Sequence, residues 1–210
     1  MNYEYWAVMI AIASLAITGV LVVAPQNINI FAAIVLGIIT SIGGGTVRDV
    51  ILDVPIFWSQ DLNYIWVALG GSLAAFAAHR FFNRRRIYNL ILYLDALGIA
   101  LFAIQSSHKV WVLDFGWPLA PIILGVITAI GGGIVRDLLA GRPTFLMDHE
   151  LYASPVVFGC TLYVLILKFL PKYELFGARL CVMLILGLRS AAIYWRLNVP
   201  PWLILRPKRD

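Results

Sequence analysis

The stretch GGGTVRDV at residues 43–50 occurs a second time, as GGGIVRDL at residues 131–138. The similarity extends on both sides of the glycines. Residues 34–64 align with residues 122–152 without a gap, at an offset of 88, and 15 of the 31 positions are identical. Shared apolar composition explains a few matching isoleucines and leucines, but not a triple glycine, an Arg-Asp pair and a proline in register. The sequence therefore indicates an internal duplication.

The composition places the chain in a membrane. Of its 210 residues, 61% are hydrophobic and only 13% are charged, and the mean hydropathy is +0.88. An average soluble domain is about 45–50% apolar and about 25% charged. These values exclude an ordinary cytosolic enzyme, and no nucleophile–base set points to catalysis. The net charge of +5 fits basic loops beside anionic lipid better than nucleic-acid binding, so we expect membrane lipids and no nucleic acid as partners.

Apolar segments long enough to cross a bilayer recur along the whole chain. A membrane-spanning helix needs about 20 mainly apolar residues. The first apolar run is too long for a signal peptide, and no basic residue precedes it. Seven spans are predicted, at residues 5–24, 28–51, 62–82, 88–108, 115–140, 151–170 and 175–196. The seventh is the weakest, because Arg179 and Arg189 lie inside it.

The offset of 88 places the first three spans on the next three. Because three is an odd number, the second copy must enter the bilayer from the opposite side. We therefore predict an all-α membrane protein with seven transmembrane helices: two inverted three-helix repeats and a seventh helix. The predicted boundaries are 1–86 for the first repeat, 87–171 for the second, and 172–210 for the seventh helix and the basic C-terminal tail.

The distribution of basic residues predicts the orientation. One basic group lies between the third and fourth spans: Arg80, Arg84, Arg85 and Arg86. The other follows the seventh span: Arg196, Arg206, Lys208 and Arg209. Cytoplasmic loops carry the excess of Lys and Arg, so we expect an inner-membrane protein with its N-terminus outside and its C-terminus in the cytoplasm. The Arg84–Arg86 run serves topology, with lipid headgroup binding as the alternative.

The two glycine triplets are the candidate site. Each glycine inside a helix costs about 1 kcal/mol relative to alanine, so three in a row favour a kink or an unwound turn. Carbonyl oxygens freed at such a break suit a small cation, and in inverted-repeat transporters such sites lie near the midplane. Close helix packing is the alternative, because small residues let two backbones approach.

Charged residues follow each triplet and add to the candidate site. Arg48 and Asp49 follow the first, and Arg136 and Asp137 follow the second. Intramembrane charges mark functional sites by default, and the alternative is lipid-interface snorkelling or a structural ion pair. Pairing across the pseudo-two-fold axis, of Arg48 with Asp137 and of Arg136 with Asp49, would neutralise all four. Asp95 lies in the fourth span among apolar neighbours, where a carboxylate must find a partner or bind a cation.

At this level of detail the chain resembles a known family. The motifs GGGTVRDV and GGGIVRDLLAGRP, the stretch LDALGIALFA at residues 94–103 and ELYA at residues 150–153 are similar to the prokaryotic TRIC-type (trimeric intracellular cation channel) family, described also as a bacterial glycine-transporter domain. The resemblance covers about residues 5–196.

The resemblance implies a function and a set of site residues. It implies a homotrimer with one potassium-permeable pore in each protomer, lined by the second and fifth spans, with K⁺ or Na⁺ as the permeant ion and no cofactor. It also implies that Arg48, Asp49, Arg136 and Asp137 flank the pore. From its place among apolar neighbours, Asp95 is added to them as a pore-flanking or gating candidate. The constriction would be formed by Gly43, Gly44, Gly45, Gly131, Gly132 and Gly133. A secondary transporter for a small zwitterion such as glycine is the alternative.

Overall fold

The structure is a computed structural model that describes residues 3–26, 28–81, 84–147 and 151–197. Within these ranges the chain is helical, and the α-helices are joined by short turns. Their bounds are α1 Tyr3–Val23, α2 Ile30–Ile51, α3 Phe57–Gln60, α4 Asn63–Ala78, α5 Arg84–Val112, α6 Leu119–Leu139, α7 Ser154–Phe169 and α8 Glu174–Trp195.

Each predicted span corresponds to one helix, and the short α3 is an addition. Five helices are long and apolar enough to cross a membrane: α1, α2, α5, α6 and α8. The other two, α4 and α7, have 16 residues each. At about 1.5 Å per residue they reach about 24 Å, which is less than the hydrocarbon core of about 30 Å. The all-α membrane class is confirmed, while the count of seven crossings stays a prediction.

The duplication is visible in the helix positions. Helix α2 ends at Ile51 and α6 ends at Leu139, which are 88 residues apart. Helix α1 packs on α2 and α4, and α5 packs on α6 and α7 in the same way. Helix α8 packs on α5 and α7, beside the two units. The boundaries at 86 and 171 stay predictions, and the one at 86 falls inside α5, which begins at Arg84.

The two glycine helices cross in opposite directions at the centre of the molecule. Gly44 of α2 lies against the backbone of Thr128, and Gly132 of α6 lies against the backbone of Thr40. Thr40 is 88 residues before Thr128, as Gly44 is before Gly132, so one contact is the other with the two copies exchanged. This antiparallel crossing is the arrangement that an inverted repeat requires.

A kink or an unwound turn was predicted at the glycines; the unwound turn is wrong, and the kink stays a prediction. Helix α2 continues through Gly43–Gly45 to residue 51, and α6 continues through Gly131–Gly133 to residue 139. The carbonyls near the triplets therefore remain within α-helix and are not exposed at a break. Close backbone packing at the crossing offsets the low helix propensity of glycine, so the packing alternative accounts for Gly44 and Gly132.

Candidate functional site

The six glycines face three different surroundings. A Cβ on Gly44 would overlap the carbonyl oxygen of Thr128, and one on Gly132 would overlap that of Thr40. Gly45 faces the ring of Phe57, and Gly133 faces the hydroxyl of Tyr152. The middle glycines, Gly44 and Gly132, thus form the contact between α2 and α6. The third glycines, Gly45 and Gly133, leave room for aromatic side chains.

The first glycine of each triplet leaves space. A Cβ on Gly43 would lie 4.0 Å from the nearest atom, on Ile39, and one on Gly131 would lie 3.8 Å from the Cα of Gly44. Both are ordinary van der Waals separations. Gly43 and Gly131 therefore could carry a methyl group without displacing a neighbour, unlike Gly44 and Gly132.

The first charge cluster, Arg48, Asp49 and Lys109, lies at the C-terminal end of α2. The guanidinium of Arg48 binds Asp49 Oδ1 through Nε and Nη2, at 2.8 Å each, and donates from Nη1 to Ser106 Oγ at 2.8 Å. Lys109 Nζ lies 2.8 Å from the same Oδ1, and the backbone N–H of Phe57 donates to Oδ2 at 2.9 Å. Two cations here share one buried carboxylate.

The second charge cluster, Arg136, Asp95 and Asp137, lies at the C-terminal end of α6. Arg136 Nε donates to Asp137 Oδ1 at 2.8 Å, and its Nη1 donates to Asp95 Oδ1 at 3.0 Å and to Thr18 Oγ1 at 3.3 Å. Tyr152 donates its hydroxyl to Asp95 Oδ2 at 3.1 Å. One fully buried cation is thus held between two carboxylates.

The clusters share a plan but differ in charge. Each arginine folds back onto the aspartate that follows it, lies over an aromatic ring, and donates to a hydroxyl contributed by the other repeat. Lys109 adds a positive charge to the first cluster, and Asp95 adds a negative charge to the second. Formally, the first cluster carries one net positive charge and the second one net negative charge.

The predicted pairs Arg48–Asp137 and Arg136–Asp49 are wrong. Because α2 and α6 cross antiparallel near residues 42 and 130, Arg48 and Arg136 lie on opposite sides of the crossing. With a rise of about 1.5 Å per residue, Arg48 and Asp137 are about 20 Å apart along the helix axes. Each arginine instead uses its long side chain to reach the adjacent aspartate. Both arginines are buried, so lipid-interface snorkelling does not describe them either.

A vestibule of about 560 Å³ opens beside the first cluster. Its lining includes Glu4, Gln60, Asp61, His108 and Lys109. Because Lys109 also contacts Asp49, this space leads from the N-terminal end of α1 to the first cluster. At the opposite end of the molecule, a separate cavity of about 630 Å³ is lined by polar and aromatic residues of α5 and α8: Arg85, Tyr88, Asn89, Tyr194 and Arg196 among them.

The predicted basic groups are only partly described. The side chains of Arg85 and Arg86 are exposed at the start of α5, where topology and lipid binding both place them. The side chains of Arg80 and Arg84 and the tail residues Arg206, Lys208 and Arg209 lie outside the described residues.

Comparison with known proteins agrees with this architecture. The model of the glycine transporter family matches residues 5–80 and 92–168. The chain belongs to this family. The UPF0126 inner membrane protein YadS of Escherichia coli (strain K12) is 35% identical over 202 residues, which cover 93% of this chain and 94% of that protein. A UPF0126 membrane protein of Vibrio cholerae is 32% identical over 94% of this chain and 82% of its own length.

Solved structures connect this family to the TRIC-type channels. The TRIC trimeric intracellular cation channel orthologue from Rhodobacter sphaeroides is 28% identical and superposes with a TM-score of 0.87, covering 94% of this chain and 100% of its own. A second TRIC cation channel, 26% identical, superposes with a TM-score of 0.85 and covers 100% of this chain and 99% of its own. The TRIC-type resemblance of the motifs is therefore confirmed.

Several residues of the two charge clusters were not predicted from the sequence. Ser106 and Thr18, which bind the two arginines, are 88 residues apart and both carry a hydroxyl, so the repeat offset could have found them. Tyr152 matches Tyr64 in the repeat. Lys109 has no charged counterpart, because the equivalent residue in the first repeat is Leu21. Its position near the end of a predicted helix is the only sequence signal for its role.

Proposed function

We propose that this chain is a membrane cation channel, permeable to monovalent ions including potassium, with one pore in each protomer of a homotrimer. The observation that carries the proposal is the near-complete superposition on TRIC cation channels above 25% identity. K⁺ or Na⁺ is the permeant ion, and no cofactor takes part in permeation. The R. sphaeroides protein is described as trimeric, which supports self-association here.

The pore runs along the crossing of α2 and α6, and its constriction is formed by Gly43–Gly45 and Gly131–Gly133. Backbone contact at Gly44 and Gly132 makes the present arrangement a closed one, so opening requires the two helices to separate or slide there. The charge clusters flank this crossing at both ends. Their charged side chains set the electrostatic energy of a cation along the pore: Arg48, Asp49, Arg136, Asp137 and Asp95.

Side-chain oxygens replace the backbone carbonyls as the expected cation ligands. Because α2 and α6 are unbroken, their carbonyls stay within the helical hydrogen-bond ladder. Thr128 lies at the crossing, and its Oγ1 is buried with no hydrogen-bond partner among the described residues. Buried polar groups normally have a partner, so this hydroxyl is an oxygen that could bind water or a dehydrated cation once the crossing opens.

Recording in planar bilayers tests the channel against the carrier. Purified protein under a KCl gradient should give unitary current steps that reverse near the potassium equilibrium potential. Saturable glycine uptake into vesicles without unitary currents would instead establish the zwitterion carrier. The unbroken α2 and α6 weigh against that alternative, because it requires the free half-helix ends that bind a carboxylate.

The orientation follows from the same proposal. In an inner membrane with the N-terminus outside, a cysteine at Leu113 should react with an impermeant thiol reagent from outside, and one at Arg85 should react only from the cytoplasm. Both positions are exposed, and the native Cys160 and Cys181 are buried, so they supply the unreactive background. Labelling of both positions from one side would overturn the topology.

Lipid headgroups are the expected ligands of Arg84, Arg85 and Arg86. Clusters of basic residues beside a membrane helix attract anionic lipid, at about 1 kcal/mol per residue. Neutral substitutions at Arg85 and Arg86 should reduce co-purification of anionic phospholipid. Unchanged lipid content would leave topology as the role of the run.

A further inference from the structure

A histidine near the C-terminal end of α5 joins three helices. His108 Nδ1 lies 3.2 Å from Glu4 Oε1, in the first turn of α1, and His108 Nε2 lies 2.8 Å from Glu174 Oε1, the first residue of α8. The imidazole is mostly buried, and the two carboxylates are about half exposed. Glu4, His108 and Glu174 are called the histidine cluster below.

The histidine cluster is short of positive charge. A neutral imidazole has one N–H group and one lone pair, yet each ring nitrogen is within hydrogen-bond distance of a carboxylate oxygen. With neutral His108, one glutamate would face a nitrogen lone pair, and the cluster would carry two negative charges. A metal ion bound to one ring nitrogen removes this conflict, because the other nitrogen then carries the N–H group.

We propose that the histidine cluster is a binding site for a divalent transition-metal ion of the Zn²⁺ class. One ligand atom from each of the three residues lies within 4.8 Å of the others. Zinc binds imidazole nitrogen and carboxylate oxygen at about 2.0–2.2 Å in tetrahedral geometry, which puts neighbouring ligand atoms about 3.4 Å apart. The two glutamates contact different ring nitrogens, so an ion bound to one nitrogen takes the glutamate on that side directly, and the other glutamate must swing around the ring to reach it. Both side chains are long and about half exposed, which allows this movement while the helices stay in place.

The space beside the cluster allows a fourth ligand. A cavity of about 40 Å³ is lined by the three cluster residues together with Gln105 and Tyr163. A cavity needs about 10–15 Å³ to hold a water molecule. A site with three protein ligands and one water is therefore accommodated, and it has the ligand number of an open zinc site.

The neighbouring charges leave the site negative. Asp61 and Lys109 line the vestibule on one side of His108, and Asp114 and Lys168 line the cavity of about 550 Å³ on the other side. Each side offers one acid and one base, so the neighbours add no formal net charge. The imidazole ligand favours Zn²⁺ over Mg²⁺ or Ca²⁺, which prefer all-oxygen sites.

A bound ion would tie α8 to the duplicated core. Glu174 begins α8, which lies outside the two repeats, whereas Glu4 and His108 belong to the first helix of each repeat. An ion that binds only this folded arrangement stabilises it in proportion to the logarithm of its concentration. Sequence spacing does not reveal the site, because its ligands lie at residues 4, 108 and 174.

Metal titration of the purified full-length protein tests the proposal. After treatment with EDTA and its removal, calorimetric titration with ZnCl₂ should show one Zn²⁺ bound per chain. Saturating Zn²⁺ should raise the melting temperature by several degrees, whereas MgCl₂ at the same concentration should leave it unchanged. A wild-type protein that binds no Zn²⁺ would overturn the site.

Four variants test where the ion binds. His108→Ala and Glu174→Gln should each weaken Zn²⁺ binding about tenfold or more, because even an outer-shell residue of a metal site contributes that much. His79→Ala is the matched control, since His79 lies at the end of α4, away from the cluster, and should retain wild-type affinity. If His108→Ala does not fold, the isosteric Glu174→Gln decides. Wild-type affinity in Glu174→Gln together with Glu4→Gln would overturn the proposal.

Discussion

Arg48 of the first repeat donates from Nη1 to the hydroxyl of Ser106 in the second, at 2.8 Å. Its counterpart Arg136 donates to Thr18 of the first repeat, at 3.3 Å. The duplicated units are therefore joined at two buried points by the same exchange of a guanidinium and a hydroxyl. The second point has additional support, because Arg136 Nη1 also binds Asp95.

This difference predicts unequal costs for loss of the two hydroxyls. Ser106→Ala should lower the free energy of unfolding by about 1–3 kcal/mol, since it removes an acceptor from a buried charged donor. Thr18→Val should lower it by less, because Asp95 still accepts from Arg136. Thermal or denaturant unfolding in one detergent measures both. A larger loss in Thr18→Val would contradict the assigned partners.

Arg136 and Asp95 should be energetically coupled. Arg136→Ala leaves two buried carboxylates without their cation and should cost about 3–5 kcal/mol. The double variant Arg136→Ala with Asp95→Ala should be less destabilised than the sum of the single variants, by about 0.5–3 kcal/mol.

Arg48 and Asp137 supply the matched control for this cycle. They lie about 20 Å apart along the helix axes, so Arg48→Ala and Asp137→Ala should be additive within about 0.5 kcal/mol. Energetic coupling between Arg48 and Asp137 would instead support the cross-repeat ion pair that the sequence predicted.

The unequal charges of the two clusters predict asymmetric conduction. A cation approaching the first charge cluster is repelled by one excess positive charge, at about 2 kcal/mol for a separation of about 8 Å and an effective dielectric constant of about 20. Lys109→Gln removes that excess and should increase cation entry from the first cluster's side. Asp95→Asn should reduce entry from the opposite side.

Single-channel currents at both polarities measure these changes. Lys172→Gln is the matched control, because it removes one positive charge from the exposed turn before α8, away from the clusters. It should conduct as the wild type does. If Lys109→Gln and Asp95→Asn both keep the wild-type current–voltage relation, the clusters do not face the conduction path.

The sequence predicted the helices well and the contacts between their side chains poorly. Hydropathy placed spans 28–51 and 115–140, and the structure has α2 and α6 at Ile30–Ile51 and Leu119–Leu139, because a bilayer requires helices of a set length. The gap-free alignment of the two glycine triplets predicted that they would come together in one site. Glycine propensity alone suggested a break at Gly43–Gly45, because propensity does not account for the packing that the partner helix supplies.

Side-chain partners depend on helix rotation and crossing, which spacing does not supply. The cross-repeat pairing of Arg48 with Asp137 satisfied the charge balance but ignored the distance from the antiparallel crossing. Arg189, which made the seventh span uncertain, is buried: its Nη1 donates to the carbonyl of Leu151 at 2.9 Å, and its guanidinium lies over the ring of Tyr152. The residues around Arg189 in α8 do not predict either partner.

The first and middle glycines of each triplet should respond differently to alanine. At Gly44 or Gly132 the new methyl group would overlap a carbonyl oxygen of the facing helix, and overpacking of this kind costs about 1–3 kcal/mol. At Gly43 or Gly131 the methyl has space, and the gain in helix propensity is up to about 1 kcal/mol. Melting temperatures should therefore fall for Gly44→Ala and Gly132→Ala and hold or rise for Gly43→Ala and Gly131→Ala.

Conductance then separates a pore from a packing contact. Gly43→Ala and Gly131→Ala keep the helix crossing intact, so any change in their unitary current comes from a methyl group inside the conduction path. If the glycine crossing is the constriction, both variants should be stable and should conduct less than the wild type, and the inverted repeat should give them opposite dependence on voltage. Stable Gly43→Ala and Gly131→Ala proteins with wild-type currents would place the pore away from α2 and α6, whatever the stability of the Gly44 and Gly132 variants.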